Sequence, residues 1–313
     1  MDKETFAVGV DLGGTAIKYG ICSSSGIIVE EFKRPTRADQ PVEAILDDIA
    51  EAISSAIKAA QGEQLTVRAV GMGTPGAVNV ETGQLMGNTP NFKHWKDVYI
   101  KRSLEARVNL PVWADNDANM MAYGELKYGA GKGAANVVCV TLGTGIGGGI
   151  IVDHRLFRGS RYAGSEIGHM SIDYNGRQCR CGGIGCWEIY GSASAMIEHY
   201  RRLKPESFIA STIDIFNAYD RKEAAAVAVV EEEIRICAVG VANLINIFNP
   251  EKVIIGGGVS EAGDWFVARI EAAAINLAMK AATREVTVMR ARLGNKAGLL
   301  GAAAFALDQE GHA

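Results

Sequence analysis

The stretch from His169 to Glu188, HMSIDYNGRQCRCGGIGCWE, gathers one imidazole, three thiols and four glycines within twenty residues and ends on a Trp-Glu pair. His169, Cys179, Cys181 and Cys186 make a complete tetrahedral donor set for Zn²⁺. Four protein ligands leave no open coordination position, which is the pattern of a structural ion. A disulfide with a spare thiol and a redox pair are the competing readings. The first conflicts with a reducing compartment; the second usually shows C-x-x-C, whereas the spacing here is C-x-C-x-x-x-x-C. Gly182, Gly183 and Gly185 let the chain wrap an ion tightly. On this reading zinc staples a loop and does no chemistry itself.

Carboxylates flank the loop. Glu166 and Glu188 could each be a solvated surface acid, the usual fate of Glu. Their position at both ends of a metal-fixed loop suggests instead that the metal aims them. A third acid, Asp117, lies in DNDAN, where the apolar PVWAD gives way to a helical pattern. Asp115, Asn116 and Asp117 are all good N-cap types, so helix capping competes with catalysis there.

Two glycine turns supply the other chemistry. DLGGT at 11–15 and TLGTG at 141–145 could be plain hairpin turns. Both also put backbone N–H groups and Thr hydroxyls at the end of a buried strand, with no side chain to block an anion. Asp11 adds a carboxylate able to hold Mg²⁺ or its waters. The candidate nucleotide set is therefore Asp11, Gly13, Gly14, Thr15 and Lys18 at the first turn, and Gly143, Thr144 and Gly145 at the second. Gly256, Gly257 and Gly258 close another apolar strand. They are either an ordinary strand-to-helix turn or a place of close approach to an adenine or ribose. Residues 143–148 also spell G-x-G-x-x-G, but that fingerprint must open a helix and the following GIIVD reads as a strand. No G-x-x-x-x-G-K-[ST] occurs, which excludes a P-loop as the phosphate grip.

Regular elements must position these groups. FAVGVDL, AIKYGIC and GIIVEEFKR read as strands, with Ser24-Ser25-Gly26 as a hairpin turn. Val42, Ile45, Ile49, Ile53 and Ile57 recur at helical spacing. LTVRAVGMG and PVWAD are further strands, the latter leading into the helix DANMMAYGELKYG. At Asn136 the pattern restarts: VVCVTLGTG and GGGIIV are strands, helices follow near 223–248 and 261–282, and KVIIGGG lies between them. The strand EVTVMRARL and the small-residue helix AGLLGAAAFAL finish the chain. VGVDLGGT (8–15) aligns with VCVTLGTG (138–145), so the chain reads as two βββαβα-type halves, each offering a glycine turn to a shared cleft. The expected organisation is an N-terminal α/β domain over 1–116, a C-terminal α/β domain over 117–296, and a last helix, 297–313, packing back on the first domain.

Bulk composition agrees. With 313 residues, two domains are expected; 48% hydrophobic and 22% charged residues are ordinary for a folded protein. A net charge of −4 without charge runs argues against nucleic acid as a main partner. The N-terminus carries no secretory pattern, and the longest apolar run is broken by glycine and too short for a bilayer. The expectation is a cytoplasmic protein without a membrane partner. Cys22, Cys139 and Cys237 sit singly in apolar segments and read as small buried hydrophobes.

Taken together, DLGGTAIKYG, GTPGAVN, GNTP, NDAN, LGTGIGGGII, GSEIGHM and CRCGGIGCWE resemble the ROK sugar kinases (repressor, open reading frame, kinase) of the actin-like ATPase superfamily, over effectively the whole chain. The resemblance implies two actin-like, ribonuclease-H-like α/β domains flanking a central cleft that closes on sugar and ATP. It places the catalytic base on Asp117 and sugar contacts on Asn88, Asn116, Asp117 itself, Glu166, His169 and Glu188, with His169 also a zinc ligand. The implied activity is ATP-dependent, Mg²⁺-requiring transfer to a hexose, with glucose at its 6-hydroxyl favoured by Glu166. Mannose and N-acetylhexosamines are the near alternatives. A non-catalytic sugar sensor is the rival from another class, and a nicotinamide dehydrogenase rests only on the glycine fingerprint. A homo-oligomer, dimer or tetramer, is implied by resemblance alone, and polyphosphate stays open as donor.

Overall fold

The computed structural model describes residues 4–87, 89 and 92–311, and divides into two compact units. One comprises residues up to Lys132, Arg158–Gly164, and those from Asn295 onward; the other comprises Gly133–Phe157 and Ser165–Gly294.

The first unit is built on β1 (Phe6–Leu12), β2 (Ala16–Ser23), β3 (Ile28–Pro35), β4 (Val67–Thr74) and β7 (Val112–Asn116), in the order β3-β2-β1-β4-β7. A small hairpin of β5 (Ala77–Asn79) and β6 (Gln84–Met86) stands apart. The first three strands are antiparallel and β4 and β7 run parallel to β1. Side chains alternate across a strand, so each face needs its own cover. Val8, Val10 and Leu12 share a core cluster with Ile45, Ile49 and Ile53 of α1 (Val42–Gly62) and Leu104 of α2 (Ile100–Val108).

The opposite face is covered by backbone rather than bulk. A methyl group on Gly71 of β4 would stand 1.8 Å from the Ala302 carbonyl oxygen of the C-terminal helix Ala297–Glu310. One on Gly301 would stand 1.7 Å from the Met120 carbonyl oxygen of α3 (Asp117–Tyr128). The small-residue run AGLLGAAAFA is thus what lets this helix lie on both sheet and α3. An ion pair of Lys127 with Asp308 at 2.7 Å, and a hydrogen bond from Tyr123 to Asp308, close the contact.

The second unit repeats the arrangement with β8 (Val137–Leu142), β9 (Ile146–Val152), β10 (Arg155–Phe157), β11 (Lys252–Gly256) and β12 (Thr287–Arg290), in the order β10-β9-β8-β11-β12. Three antiparallel strands again precede two parallel ones. The motif repeat is thus a repeat of topology, with both glycine turns joining the first two strands of a sheet. Between β10 and β11 come α4 (Glu188–Gly191), α5 (Ala193–Leu203), α6 (Thr212–Asp220) and α7 (Ala224–Phe248); α8 (Asp264–Leu277) precedes β12, and the C-terminal helix is α9. Val138, Val140 and Leu142 pack into a core with Val230, Ile234, Val241 and Ile245 of α7 and Phe266 and Ile270 of α8.

Four expectations are corrected. The border expected at 116/117 falls at 132/133, because α3 packs on α9 and the β7 edge. The later border falls at 294/295, and the excursion Arg158–Gly164, expected in the second domain, belongs to the first unit. The helix expected over 261–282 is α8 alone: Gly263, at φ +118°, breaks the chain before Asp264, and Ala278 turns extended behind Leu277. Among the described residues no helix is long and apolar enough to cross a membrane.

Candidate active site

In the first unit the parallel register sets Asp11 of β1 beside Gly73 of β4, and Gly73 beside Asp115 of β7. Two carboxylates therefore occupy one rung near the C-terminal ends of the strands, where open α/β sheets bind ligands. Asp11 lies 3.7 Å from Lys18 Nζ across the β1–β2 ladder. Burial pushes the Asp11 carboxyl up and Lys18 draws it down. The first turn of α9 also reaches this corner: a methyl group on Gly298 would stand 3.4 Å from the Asp11 carboxyl carbon. The turn Gly13-Gly14-Thr15 beside it is held by Gly13 N–H donating to Ala16 O and by Thr36 Oγ1 donating to Gly13 O.

One rung further, β7 runs straight into α3. Asn116 is the cap: its Oδ1 accepts from Ala118 N at 2.9 Å and Asn119 N at 3.2 Å, and its Nδ2 donates to Gly76 O. Among the described residues, the second amide hydrogen of Asn116 has no protein acceptor. Asp117 is the first helical residue, accepting from Ala118 N at 2.9 Å. Capping is thus shared between neighbours, with Asn116 accepting two of the three bonds from the first helical N–H groups. Asp115 is turned inward, its side chain 1% exposed, onto Arg158 of the returning excursion. Asn88 lies outside the described residues.

In the second unit the turn Gly143-Thr144-Gly145 closes on itself by Gly143 N donating to Gly145 O. It is tied down by Ala193 N to Gly143 O at 2.8 Å and Ser194 Oγ to Thr144 O at 2.9 Å. Glu188 reaches the same turn, its Oε2 accepting from Ile146 N at 3.0 Å. The E-x-G-H segment meets the other side of Ile146: a methyl group on Gly168 would stand 2.1 Å from the Ile146 carbonyl oxygen. The glycine of that motif is required by backbone contact with the phosphate-type turn. Glu166 and His169, on either side of Gly168, are exposed. Gly257, at φ +84°, packs against Leu142, bringing the third glycine cluster beside the second. The Thr141 hydroxyl, at the place Asp11 holds in the first unit, is buried without a protein partner among the described residues. In the second unit, open glycine backbone and the Thr141 hydroxyl are groups that suit phosphate oxygens; in the first, the Asp11 carboxylate suits Mg²⁺ or its waters.

The expected metal ligands do come together. One ligand atom from each of His169, Cys179, Cys181 and Cys186 lies within 4.8 Å of the other three. Cys181 and Cys186 sulfurs are 3.5 Å apart, and Cys179 Sγ is 3.8 Å from His169 Nδ1. Zinc–sulfur bonds of ~2.3 Å at tetrahedral angles put sulfurs about 3.8 Å apart, so the donor set fits zinc in type and spacing. The loop is tightly folded: Cys179 N donates to Gly183 O, Gly185 N to Arg177 O and Ile172 N to Gly185 O. A methyl group on Gly185 would fall 1.7 Å from Asp173 O. Trp187, fully buried, then pins the loop to α7, and Glu188 follows directly.

Sequence reasoning missed Arg158, Gly298 and the backbone of Ile146. Arg158 had no legible signal, since nothing in the sequence separates it from its neighbours Arg155 and Arg161. Gly168 stood inside a recognised motif, but its partner is 22 positions away and depends on the tertiary fold.

Comparison with known proteins places this geometry. The ROK family profile matches residues 7–309. A glucokinase of Streptomyces coelicolor is 38% identical over 319 aligned positions, covering 97% of this chain and 98% of that one. A ROK hexokinase of Thermus thermophilus superposes with TM-score 0.86 at 31% identity, covering 99% of this chain and all of that one. A ROK family glucokinase of Streptomyces griseus, solved with glucose and AMPPNP, superposes with TM-score 0.84 at 35% identity, covering 97% and 99% of the two chains. With its profile, length and mixed α/β fold matched end to end, the chain belongs to the ROK family.

Proposed function

We propose that this protein is an ATP-dependent hexose kinase that phosphorylates glucose at its 6-hydroxyl. The observation that carries the reading is the Glu188 carboxylate on the backbone of the second glycine turn, one side chain shared by a metal-type loop and a phosphate-type turn. Likeness to a glucokinase solved with glucose and a non-hydrolysable ATP analogue supports both substrates. Asp11, Gly13, Gly14, Thr15, Lys18, Gly143, Thr144, Gly145 and Gly256–Gly258 form the proposed nucleotide set. Asn88, Asn116, Glu166, His169 and Glu188 form the proposed sugar set, the directed acceptors that fixed sugar hydroxyls require. Zn²⁺ on His169, Cys179, Cys181 and Cys186 would hold the loop between Glu166 and Glu188.

The reaction balances simply. The 6-hydroxyl oxygen forms a bond to the γ-phosphorus, the bond from that phosphorus to the bridging β-γ oxygen breaks, and ADP leaves. Asp117 accepts the hydroxyl proton, a general-base role worth roughly 10²–10⁴ in rate. Phosphoryl transfer otherwise asks for positioning and charge stabilisation, which the backbone N–H groups of both turns and Lys18 provide. Mg²⁺, held through Asp11, would supply further neutralisation of phosphate charge when bound. A cytoplasmic homo-oligomer is the state the family resemblance implies.

The test is ADP release from Mg²⁺-ATP across glucose, mannose, fructose, N-acetylglucosamine and N-acetylmannosamine, with Asp117→Asn alongside. We expect fastest turnover on glucose and a loss of roughly 10²–10⁴ in the variant. Near-wild-type turnover in Asp117→Asn removes the proposed base. Preference for another sugar keeps the kinase and replaces its substrate, and silence on every sugar overturns the kinase.

A further inference from the structure

The excursion Arg158–Gly164 leaves the second unit, packs into the first, and returns. Its neck is closed by Gly164 N donating to Arg158 O at 2.8 Å. Of its two arginines, Arg158 is the one that meets Asp115. Arg158 Nε and Nη2 both lie 2.7 Å from Asp115 Oδ2, and the guanidinium carbon stands 5.3 Å from the centre of the Phe305 ring on α9. The other oxygen, Asp115 Oδ1, accepts from Asn116 N at 2.7 Å and from Asn119 Nδ2 at 3.1 Å. Asp115 thus grips the backbone of the residue before Asp117 and a side chain on the first turn of α3, while Arg158 grips Asp115.

We propose that Arg158 is a positioning residue for the base: through Asp115 it fixes the β7–α3 junction, so that Asn116 and Asp117 keep the register needed for proton transfer. This rests on Asp117 being the base. The physical case is that a carboxylate this buried stays ionised only beside a hydrogen-bonded counter-charge; the guanidinium donates to Asp115 Oδ2 from Nε and holds Nη2 against the same oxygen, a rigid placement of two nitrogens that an ammonium lacks. An ionised Asp115 accepts from Asn116 N–H and Asn119 Nδ2 at once; a protonated one loses acceptor capacity and loosens both. Loss of Arg158 therefore reaches Asp117 without touching substrate.

Two measurements on the full-length protein test this. In Arg158→Met, kcat should fall about 10- to 100-fold while KM for ATP and for the sugar stay within about threefold. Arg158→Lys, which keeps the charge but not the fork, should recover only part of kcat. Asp115→Asn combined with Arg158→Met has no buried charge left to compensate, and should turn over faster than Arg158→Met alone. Independently of turnover, hydrogen exchange at the Ala118 and Asn119 amides should accelerate at least tenfold in Arg158→Met and less in the double variant, with exchange in the second unit unchanged. Exchange unaltered in Arg158→Met, or equal acceleration with and without Asp115, overturns the proposal. An inactive wild-type enzyme would overturn the kinase reading, and the exchange data would still decide the role of Arg158.

Discussion

Replacing Glu188 by alanine separates two roles that the proposed site gives one carboxylate. If Glu188 only contacts sugar, the variant should bind nucleotide normally. The proposed nucleotide role of the second glycine turn predicts otherwise, because Glu188 Oε2 accepts from Ile146 N at 3.0 Å at the base of that turn. Ile146 is 6% exposed, so its N–H has little water to turn to. An unpaired buried donor costs about 1–3 kcal/mol, which is roughly 5- to 150-fold in affinity if the turn must be ordered before phosphates dock. Glu188→Gln keeps an acceptor and loses the charge, a difference of about 1 kcal/mol or roughly fivefold. The turn's other ties, Ala193 N to Gly143 O and Ser194 Oγ to Thr144 O, remain, so neither variant need unfold. The assay is calorimetric titration of AMPPNP with Mg²⁺ in the absence of sugar. The expected order is wild type, then Glu188→Gln, then Glu188→Ala. AMPPNP affinity in Glu188→Ala within twofold of wild type would refute the link between loop and turn, whatever happened to sugar binding.

Two further outcomes follow from the same structure. Elemental analysis should find about one zinc per chain, and Cys181→Ser should lose both the metal and sugar affinity, since the loop that ends at Glu188 is then unstapled; a metal-free preparation with full sugar affinity would remove the structural role of zinc. Glu233 of α7 is 2% exposed, and burial pushes its carboxyl from 4.5 up to about 8. A raised acid binds its proton more tightly folded than unfolded, so its stabilisation is complete below about pH 4.5 and is lost as pH rises through 8, up to about 5 kcal/mol in all. Glu233→Gln, which mimics the protonated form, should therefore raise Tm at pH 8 relative to wild type and change it little at pH 4.5; an equal effect at both would contradict a protonated Glu233.

Several parts of this protein were legible in the chain itself. The His169–Glu188 donor set was readable because zinc demands particular ligand types, and a short loop brings them together with little help from the fold. The strand–turn–strand repeat was readable because a buried strand ending in glycine has a local signature, which sheets of identical order then bear out. The border of the units was not readable. Whether α3 belongs before or after it depends on Gly124 and Gly301 admitting α9 at backbone distance, a contact between segments more than 170 residues apart. The partnership of Asp115 with Arg158 was equally hidden, since nothing in the sequence marks Arg158, rather than Arg155 or Arg161, as the arginine that meets this carboxylate. Sequence alone determined which groups are available and which local turns carry them, because residue type and short-range geometry are properties of neighbours along the chain. Only the tertiary structure decided which partners those groups hold, as with Glu188 on the Ile146 backbone and Arg158 on the Asp115 carboxylate, because burial and counter-charge arise between segments that meet only once the sheets have formed.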